Sequence, residues 1–443
     1  MKIKLFATTI IVGMTIVIGT PYATGMMAED QYQTMIRANP FTPSLQLESR
    51  NFKRGVFSSE ATTFVEIRDP SLREMLADKL GKDESGKTGL LIHHHLNHGP
   101  FIFTAEQGIA FAVAEATHQV GYSDSINDVA KQQSDSMDIF QLDTRLHFDG
   151  SQDIELSSRE ITTKSSKAST TVMPLLITLV TDKSYRSLKG SGDWDGFTSE
   201  NSQSEKVSLS DGQFELDMEK SGELWLGSVE LNQHSMVFSS LKARLQMEAM
   251  KLNARSSEKG DARLVDSASE ISLQQIKTSD KTFGPGELSL AISNLPAATL
   301  ERLSAIQQQA LNSSTSDQQF ALQAAGFKSL NLLPELVSHG IVIDMKKLYL
   351  NTPDGEITGH LNISLPKSNP SSLMNIPHLK SIIKLHAELS IPVALIPEAT
   401  MNAKIQPMLK RGYLKMDGML LKSEIRMSGG VLTMNNQPVP LPY

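Results

Sequence analysis

The chain has 443 residues and a formal net charge of −7, because 42 Lys and Arg stand against 49 Asp and Glu. This balance, without any clustered run of Lys or Arg, excludes an extended phosphate-binding surface, and no nucleic-acid partner is expected. The chain contains no cysteine, which excludes disulfides, thiolate metal sites and a cysteine nucleophile. A hydrophobic fraction of 40% at this length allows two or three domains with cores of their own.

The N-terminus has the features of an export signal. Lys2 and Lys4 precede an uncharged segment, residues 5–28, and acidic residues follow it. A helix of this length crosses the hydrocarbon layer, so the segment is predicted to anchor the chain in a membrane, with the N-terminus in the cytoplasm and the body on the other side. The alternative is cleavage as a signal peptide near Pro21 and the small residues 23–25, which would release a soluble exported protein.

Apolar and polar residues alternate with a period of two at several places, which predicts half-buried antiparallel strands. The pattern occurs in residues 57–67, 140–148, 357–365 and 419–427, and Gly-containing turn sequences separate such segments. Strands do not alternate with helices as in a doubly wound sheet. The predicted fold class is mainly β with some α: a long curved antiparallel β-meander, a few helices and one N-terminal transmembrane or signal helix.

The domain organisation is predicted from changes in composition along the chain. Residues 185–205 and 254–262 are polar and rich in Gly and Ser, as loops are, whereas residues 105–120 fit either a helix or a strand. Apolar residues recur at helical spacing near 297–333 and 399–411. The predicted segments are 1–28 (signal anchor or signal peptide), 29–184 (N-terminal β-rich half, beginning with a helix), 185–205 (linker or long loop) and 206–443 (C-terminal β-rich half containing those helices).

The densest polar cluster contains His93, His94, His95 and His98. Imidazole is a common zinc and copper ligand, so His93, His95 and His98 are candidate metal ligands. In a strand, however, His93 and His95 point to one face and His94 to the other. Two ligands do not complete a site, and a third would have to come from His98 or His118. The alternative interpretation is an ordinary strand with solvated and core histidines.

The sequence contains none of the motifs of known catalytic mechanisms in the strand, turn or helix context that their chemistry requires. They include G-x-S-x-G, H-E-x-x-H, S-x-x-K, the Walker loop and G-x-G-x-x-G. The acidic loops at 149–153 and 193–196 lack the spacing of a calcium loop. The sequence therefore predicts no catalytic residues and no cofactor.

Several segments resemble, in order, those of the YdgA-like family of bacterial envelope proteins, a domain of unknown function. The resemblance rests on Tyr32 after the N-terminal segment, RGVFSS at 54–59, HGP at 98–100, FGPG at 283–286, TPDGE at 352–356, and the end of the chain at 412–414 and 429–441. Most of these motifs place Gly and Pro at turns. The resemblance implies a scaffold and carries no known catalytic mechanism.

The predicted function is that of a non-enzymatic envelope protein that serves in binding or assembly. It is expected to be tethered to the bacterial cytoplasmic membrane through residues 5–28 with its body facing the periplasm, or to be soluble in the periplasm if the segment is cleaved. Contact with lipid is the most concrete form of this function, by analogy with β-rich proteins that carry lipid across the periplasm. A metal-dependent enzyme centred on His93–His98 is the alternative. A third hypothesis is a homodimer formed through exposed strand edges, and other envelope proteins are further candidate partners.

Overall fold

The structure is a computed structural model that describes residues 2–39, 45–68, 86–104, 108–121, 140–164, 168–240, 243–311, 318–373 and 375–440. In residues 2–19 the description covers the backbone alone.

Most of the described residues lie in β-strands. In chain order they are β1 (Leu45–Arg54), β2 (Ser58–Ile67), β3 (Gly89–His98), β4 (Ile102–Thr104), β5 (Gly108–Ala110), β6 (Ala114–Gly121), β7 (Phe140–Leu146), β8 (Gln152–Ser158), β9 (Ile161–Lys164), β10 (Ala168–Val172), β11 (Leu175–Thr181), β12 (Ser187–Trp194), β13 (Phe197–Asn201), β14 (Lys206–Leu209), β15 (Gly212–Ser221), β16 (Leu224–Ser239), β17 (Arg244–Lys259), β18 (Leu264–Leu273), β19 (Gln275–Lys277), β20 (Thr282–Phe283), β21 (Gly286–Pro296), β22 (Val342–Thr352), β23 (Gly355–Ser364), β24 (Lys384–Pro392), β25 (Lys415–Asp417), β26 (Leu420–Ser428), β27 (Val431–Met434) and β28 (Gln437–Val439).

Helices are fewer and, apart from the first, short. They are α1 (Lys2–Ala38), α2 (Ala297–Leu311), α3 (Gln318–Leu330), α4 (Leu333–Val337), α5 (Pro370–Leu373), α6 (Ile376–Ile382), α7 (Glu398–Thr400) and α8 (Gln406–Lys410), with a 3-10 turn at Val393–Leu395 and a π-turn at Met401–Ile405. The helices predicted near 297–333 and 399–411 are therefore present. The prediction of a mainly β chain with a few helices is confirmed.

The chain forms two compact units. Unit 1 comprises Met1–Ile161, Val172–Trp194 and Gln307–Leu322, and unit 2 comprises Thr162–Thr171, Asp195–Ile306 and Gln323–Tyr443.

Unit 1 contains an antiparallel sheet in the order β1-β2-β3-β6-β7-β8-β11-β12. The strands β4 and β5 form a separate hairpin between β3 and β6. The second half of α1 packs on the sheet, and Ala28 and Tyr32 join Ala61, Leu96 and Val113 in its buried core. One face of the sheet is thus covered by the second half of α1, which includes the end of the predicted membrane segment.

Unit 2 contains a second antiparallel series in the order β13-β14-β16-β17-β18-β21-β22-β23-β24-β26-β27-β28. Its buried cluster is built on Ile341, Leu365 and Leu373. Apolar residues of α4, α6 and strands β21–β23 pack against that cluster. The alternation predicted in 357–365 and 419–427 falls on β23 and β26.

Two stretches that were predicted as loops contain strands, and the stretch that fitted either a helix or a strand is mostly strand in its described part. The predicted linker at 185–205 contains β12 and β13, and the predicted loop at 254–262 contains the end of β17. Polar residues are compatible with a strand when the neighbouring strand satisfies the backbone and the side chains face solvent. In the ambiguous stretch 105–120 the described residues form β5 and most of β6, while residues 105–107 lie outside the description.

Within the described residues, none of the helices combines the length and the apolarity that crossing a membrane requires. The side chains of residues 2–19 lie outside the description. The anchor over residues 5–28 therefore stays a prediction.

Candidate functional site

The inward face of unit 1 follows from strand alternation, because every second side chain points to the same face. On β3, His94, Leu96 and His98 are buried, whereas His93 and His95 are exposed. The register places His94 directly opposite His118 of β6. The two histidines therefore meet on the face that α1 covers.

A cavity of about 430 Å³ lies between α1 and this face. Its volume is in the range of small-molecule binding sites. Most of the side chains that line it are aliphatic. The lining residues are Ala28, Gln31, Tyr32, Met35, Leu45, Leu47, Thr63, Val65, Ile92, His94, Leu96, Ala114, Ala116, His118, Leu142, Thr144, Leu146, Gln152, Ile154, Leu156, Ile177, Leu179 and Tyr185.

A chain of hydrogen bonds crosses the wall of this cavity, here called the polar chain: Tyr32, Thr63, His94, His118 and Thr144. The Tyr32 hydroxyl lies 3.0 Å from Thr63 Oγ1, which lies 2.7 Å from His94 Nε2. The two Nδ1 atoms of His94 and His118 are 2.5 Å apart, and His118 Nε2 is 2.8 Å from Thr144 Oγ1. Polar groups in the wall thus satisfy one another.

The contact between the two Nδ1 atoms restricts the protonation of the two rings. One Nδ1 must donate and the other must accept, so the accepting ring is neutral and carries its proton on Nε2. Burial lowers the pKa of His94 to about 4, with a smaller contribution from His93, and lowers the pKa of His118 to about 3, with a smaller contribution from His94. At neutral pH this pair brings no charge to the wall of the cavity.

Two further polar side chains of the wall are paired with each other. Gln152 Nε2 donates to the Tyr185 hydroxyl over 2.6 Å. Burial raises the pKa of Tyr185 to about 12, so this phenol is neutral as well. The wall contains no Lys, Arg, Asp or Glu among its described residues.

His98 ties α1 to the end of β3. Its Nε2 lies 3.0 Å from Ser59 Oγ and its Nδ1 lies 2.9 Å from the carbonyl oxygen of Pro21. The contact requires glycine at position 25, since a Cβ placed there would lie 2.7 Å from His98 Cε1. Burial is the main cause that lowers the pKa of His98. This histidine holds the helix in place.

The three candidate metal ligands are therefore divided between two faces of one strand. His93 and His95 lie on the outer face, where the His93 ring contacts Thr62 Oγ1 at 3.3 Å. His98 lies on the inner face and is 4% exposed. The fold does not bring His93, His95 and His98 together.

Another set of His and carboxylate groups lies in unit 2 and was not predicted. His386 Nε2 is 3.2 Å from Glu388 Oε1 and 3.4 Å from Glu424 Oε1, and in the part of the chain that is described this is the group close enough to hold a metal ion. Arg426 already pairs with Glu424 through the same oxygen and lowers its pKa. The set comes from β24 and β26, far apart in sequence, so no local motif marks it.

Comparison with known proteins assigns the chain to a family. A profile described as "Bacterial protein of unknown function (DUF945)" matches residues 1–442. The chain belongs to this family. It is similar to Protein YdgA of Escherichia coli (strain K12), at 23% identity over 439 residues that cover 92% of this chain and 84% of the relative. No solved structure matches it.

The motifs that carry the DUF945 resemblance lie at identifiable places in the fold. Tyr32 is in the wall of the cavity and begins the polar chain. The segment 98–100 follows β3 and carries the histidine that binds α1. The segment 352–356 forms the turn between β22 and β23, where Thr352 Oγ1 donates to the Gly355 carbonyl. Two of the family-like motifs thus build the helix-covered face of unit 1.

Proposed function

We propose that this chain is a non-enzymatic envelope protein, held in the cytoplasmic membrane by residues 5–28, whose body lies in the periplasm and binds an apolar ligand in the cavity of unit 1. The ligand class is a lipid acyl chain. The observation that carries the proposal is the character of the cavity wall, which is aliphatic and whose polar groups bond to one another.

The chemistry of the wall restricts what it can hold. A charged ligand would leave water for a surface without an ionised partner, and such transfer is strongly unfavourable. An acyl chain needs no hydrogen bonds and gains free energy from every methylene that leaves water, about 0.8 kcal/mol each. A polar head group would therefore stay outside the cavity while the tail occupies it.

The predicted membrane segment gives the ligand a source. Residues 5–20 run directly into the part of α1 that packs on the sheet and lines the cavity through Ala28, Gln31 and Tyr32. A protein held this way works within reach of phospholipids. This placement favours a lipid tail over other apolar molecules.

The test is photocrosslinking of the full chain, reconstituted in vesicles that contain a phospholipid with a diazirine in its acyl chain. We expect label on peptides from β3, β6 and β7 that carry cavity residues. The variant Ala116→Phe fills the cavity and should abolish that label. The matched control Thr117→Phe places the same side chain on the exposed face of the same strand and should retain it.

Two results would contradict the proposal. Labelling confined to residues 5–20 would show that the cavity takes no lipid tail. Equal labelling of cavity peptides in Ala116→Phe and Thr117→Phe would mean that the label does not come from the cavity. Circular dichroism of both variants shows whether they fold, and Ala28→Leu is a milder cavity-filling change if Ala116→Phe does not.

A further inference from the structure

Five large apolar side chains are exposed at the turns of unit 1. They are here called the apolar rim, and they are Val56, Phe57, Phe101, Phe111 and Phe148, with exposed fractions from 39% to 67%. Three of them form a stack, in which the ring centroids of Phe101 and Phe111 are 5.6 Å apart and those of Phe111 and Phe148 are 4.8 Å apart. Single exposed apolar residues are common, but three exposed Phe rings in contact mark a contact surface.

The register of the sheet places the rim at one end. Arg54 pairs with Ser59 where β1 turns into β2, and Leu146 pairs with Gln152 where β7 turns into β8. His98 pairs with Ala114 where β3 ends and β6 begins. Since neighbouring strands are antiparallel, these connections lie at the same end of the sheet. The rim residues all belong to these connections.

Helix α1 passes the same end of the sheet. The Pro21 carbonyl accepts from His98 at the end of β3, and the Tyr22 hydroxyl accepts from Arg54 at the end of β1 over 3.0 Å. Tyr32 contacts Thr63, which lies in the middle of β2. Followed towards its N-terminus, α1 therefore leaves the sheet beside the rim. The uncharged residues 5–20 lie beyond that point and, as helix, extend about 24 Å.

We infer that the apolar rim inserts into the interfacial layer of the phospholipid bilayer that holds residues 5–20, so that unit 1 rests on the membrane by this end. The inference rests on the anchor in the proposed function. The chain enters the bilayer next to these side chains, so the nearest apolar phase available to them is the lipid. Shallow insertion of Phe side chains at the acyl boundary is the usual mode of interfacial binding. Anchor and rim together provide the two attachments that fix an orientation.

The test uses the cysteine-free sequence as its background. Phe57→Cys, Phe111→Cys and Phe148→Cys are each labelled with the environment-sensitive fluorophore NBD. The full chain is reconstituted in phosphatidylethanolamine and phosphatidylglycerol vesicles, with or without nitroxide-labelled phospholipid. The controls are Glu160→Cys and Leu176→Cys, which are exposed near the opposite end of the same sheet, where the end of β8 pairs with the start of β11. A label at Ile11, inside the predicted membrane segment, reports whether the chain is in the bilayer.

We expect the rim labels to shift to the blue and to lose about half of their fluorescence to the nitroxide lipid, while both controls keep theirs. Quenching at Ile11 without quenching at the rim would overturn the inference and leave the proposed anchor standing. If neither the Ile11 label nor the rim labels are quenched, both the inference and the proposed membrane anchor are overturned. Equal quenching at rim and control positions would show nonspecific adsorption and would also overturn the inference. Mutual quenching of the rim labels without nitroxide lipid would indicate a second copy of the chain at this surface and would likewise overturn it.

Discussion

His94 and His118 lie directly opposite each other on β3 and β6, and their Nδ1 atoms share a hydrogen bond of 2.5 Å. Each ring is bonded on its other side to a threonine, His94 to Thr63 and His118 to Thr144. While this contact persists, at most one of the two rings can be protonated, and burial keeps both rings neutral at neutral pH. Several consequences of this geometry, and of the contacts of α1, are open to measurement.

Unit 1 should lose stability in mild acid. In the unfolded chain both imidazoles titrate near pH 6.5, whereas burial lowers the pKa of His94 to about 4 and that of His118 to about 3. Between these values the unfolded chain binds more protons than the folded one. The unfolding free energy should thus be greatest above pH 6.5. As the pH drops towards 4, each of the two histidines should lower it by about 1.4 kcal/mol per pH unit.

Urea unfolding at a series of pH values measures this effect. The variant Trp225→Phe leaves Trp194 of unit 1 as the only tryptophan, because the chain has two. His94→Gln with His118→Gln should flatten the dependence. A profile from pH 7 to pH 4 that is the same with and without the histidines would contradict the pKa values and the neutral pair.

The hydroxyl of Tyr32 should contribute measurably to stability. It lies within 3.3 Å of Thr63 Oγ1, Ser49 Oγ and the Thr62 carbonyl, in a buried position. Tyr32→Phe should lower the unfolding free energy by about 1–3 kcal/mol, because a buried partner of this hydroxyl, such as Thr63 Oγ1, loses its hydrogen bond. Tyr22→Phe is the matched control. It removes an exposed hydroxyl that accepts from Arg54 and should change stability by less than about 0.5 kcal/mol. Equal losses for both variants would rule out the special role of Tyr32.

The close approach of α1 to His98 should make position 25 intolerant of larger residues. Gly25→Val forces the helix away from the ring, since even a Cβ would lie 2.7 Å from it. We expect a lower melting temperature and faster proteolysis between residues 20 and 45. In Gly326→Ala no atom within 4 Å meets the new methyl group, and helix propensity favours Ala by about 1 kcal/mol. Unchanged proteolysis in Gly25→Val would contradict the packing described for α1.

The N-terminal segment should remain on the exported protein. Cleavage near residues 23–25 would remove Pro21, whose carbonyl is a hydrogen-bond partner of the buried His98. Intact-mass measurement of the protein purified from the cell envelope should therefore give the mass of a chain that keeps residues 5–28. The mass of a chain that begins at residue 24, 25 or 26 would instead establish that the segment is cleaved as a signal peptide.

The amount of zinc that the protein binds should not depend on His95. Its side chain is exposed on the outer face of β3, away from His98. His95→Ala should leave the zinc content of the dialysed protein unchanged by elemental analysis, and His386→Ala is the informative comparison, since His386 lies near two carboxylates. Loss of stoichiometric zinc in His95→Ala would revive the metal-enzyme alternative.

Much of the fold could be predicted from the sequence because strand alternation and helical spacing are local patterns. The alternation in residues 57–67 and 419–427 gave β2 and β26, and the spacing after residue 297 gave α2. The stretch 185–205 has a composition that resembles that of a loop, and this composition did not predict the strands β12 and β13. Its strand character comes from pairing with neighbours, as β12 pairs with β11 over seven residues, and composition does not report pairing.

The sequence by itself determined the fold class, the family and the division of His93, His94 and His95 between two faces, because all three follow from residues close together along the chain or from motifs in a fixed order. Only the tertiary structure decided that His94 meets His118, that Pro21 meets His98 and that Tyr32 closes an apolar cavity. These contacts join residues 24, 77 and 31 positions apart. They depend on strand register and on where α1 packs, and a one-residue shift in register would turn the histidines of the shifted strand to the opposite face.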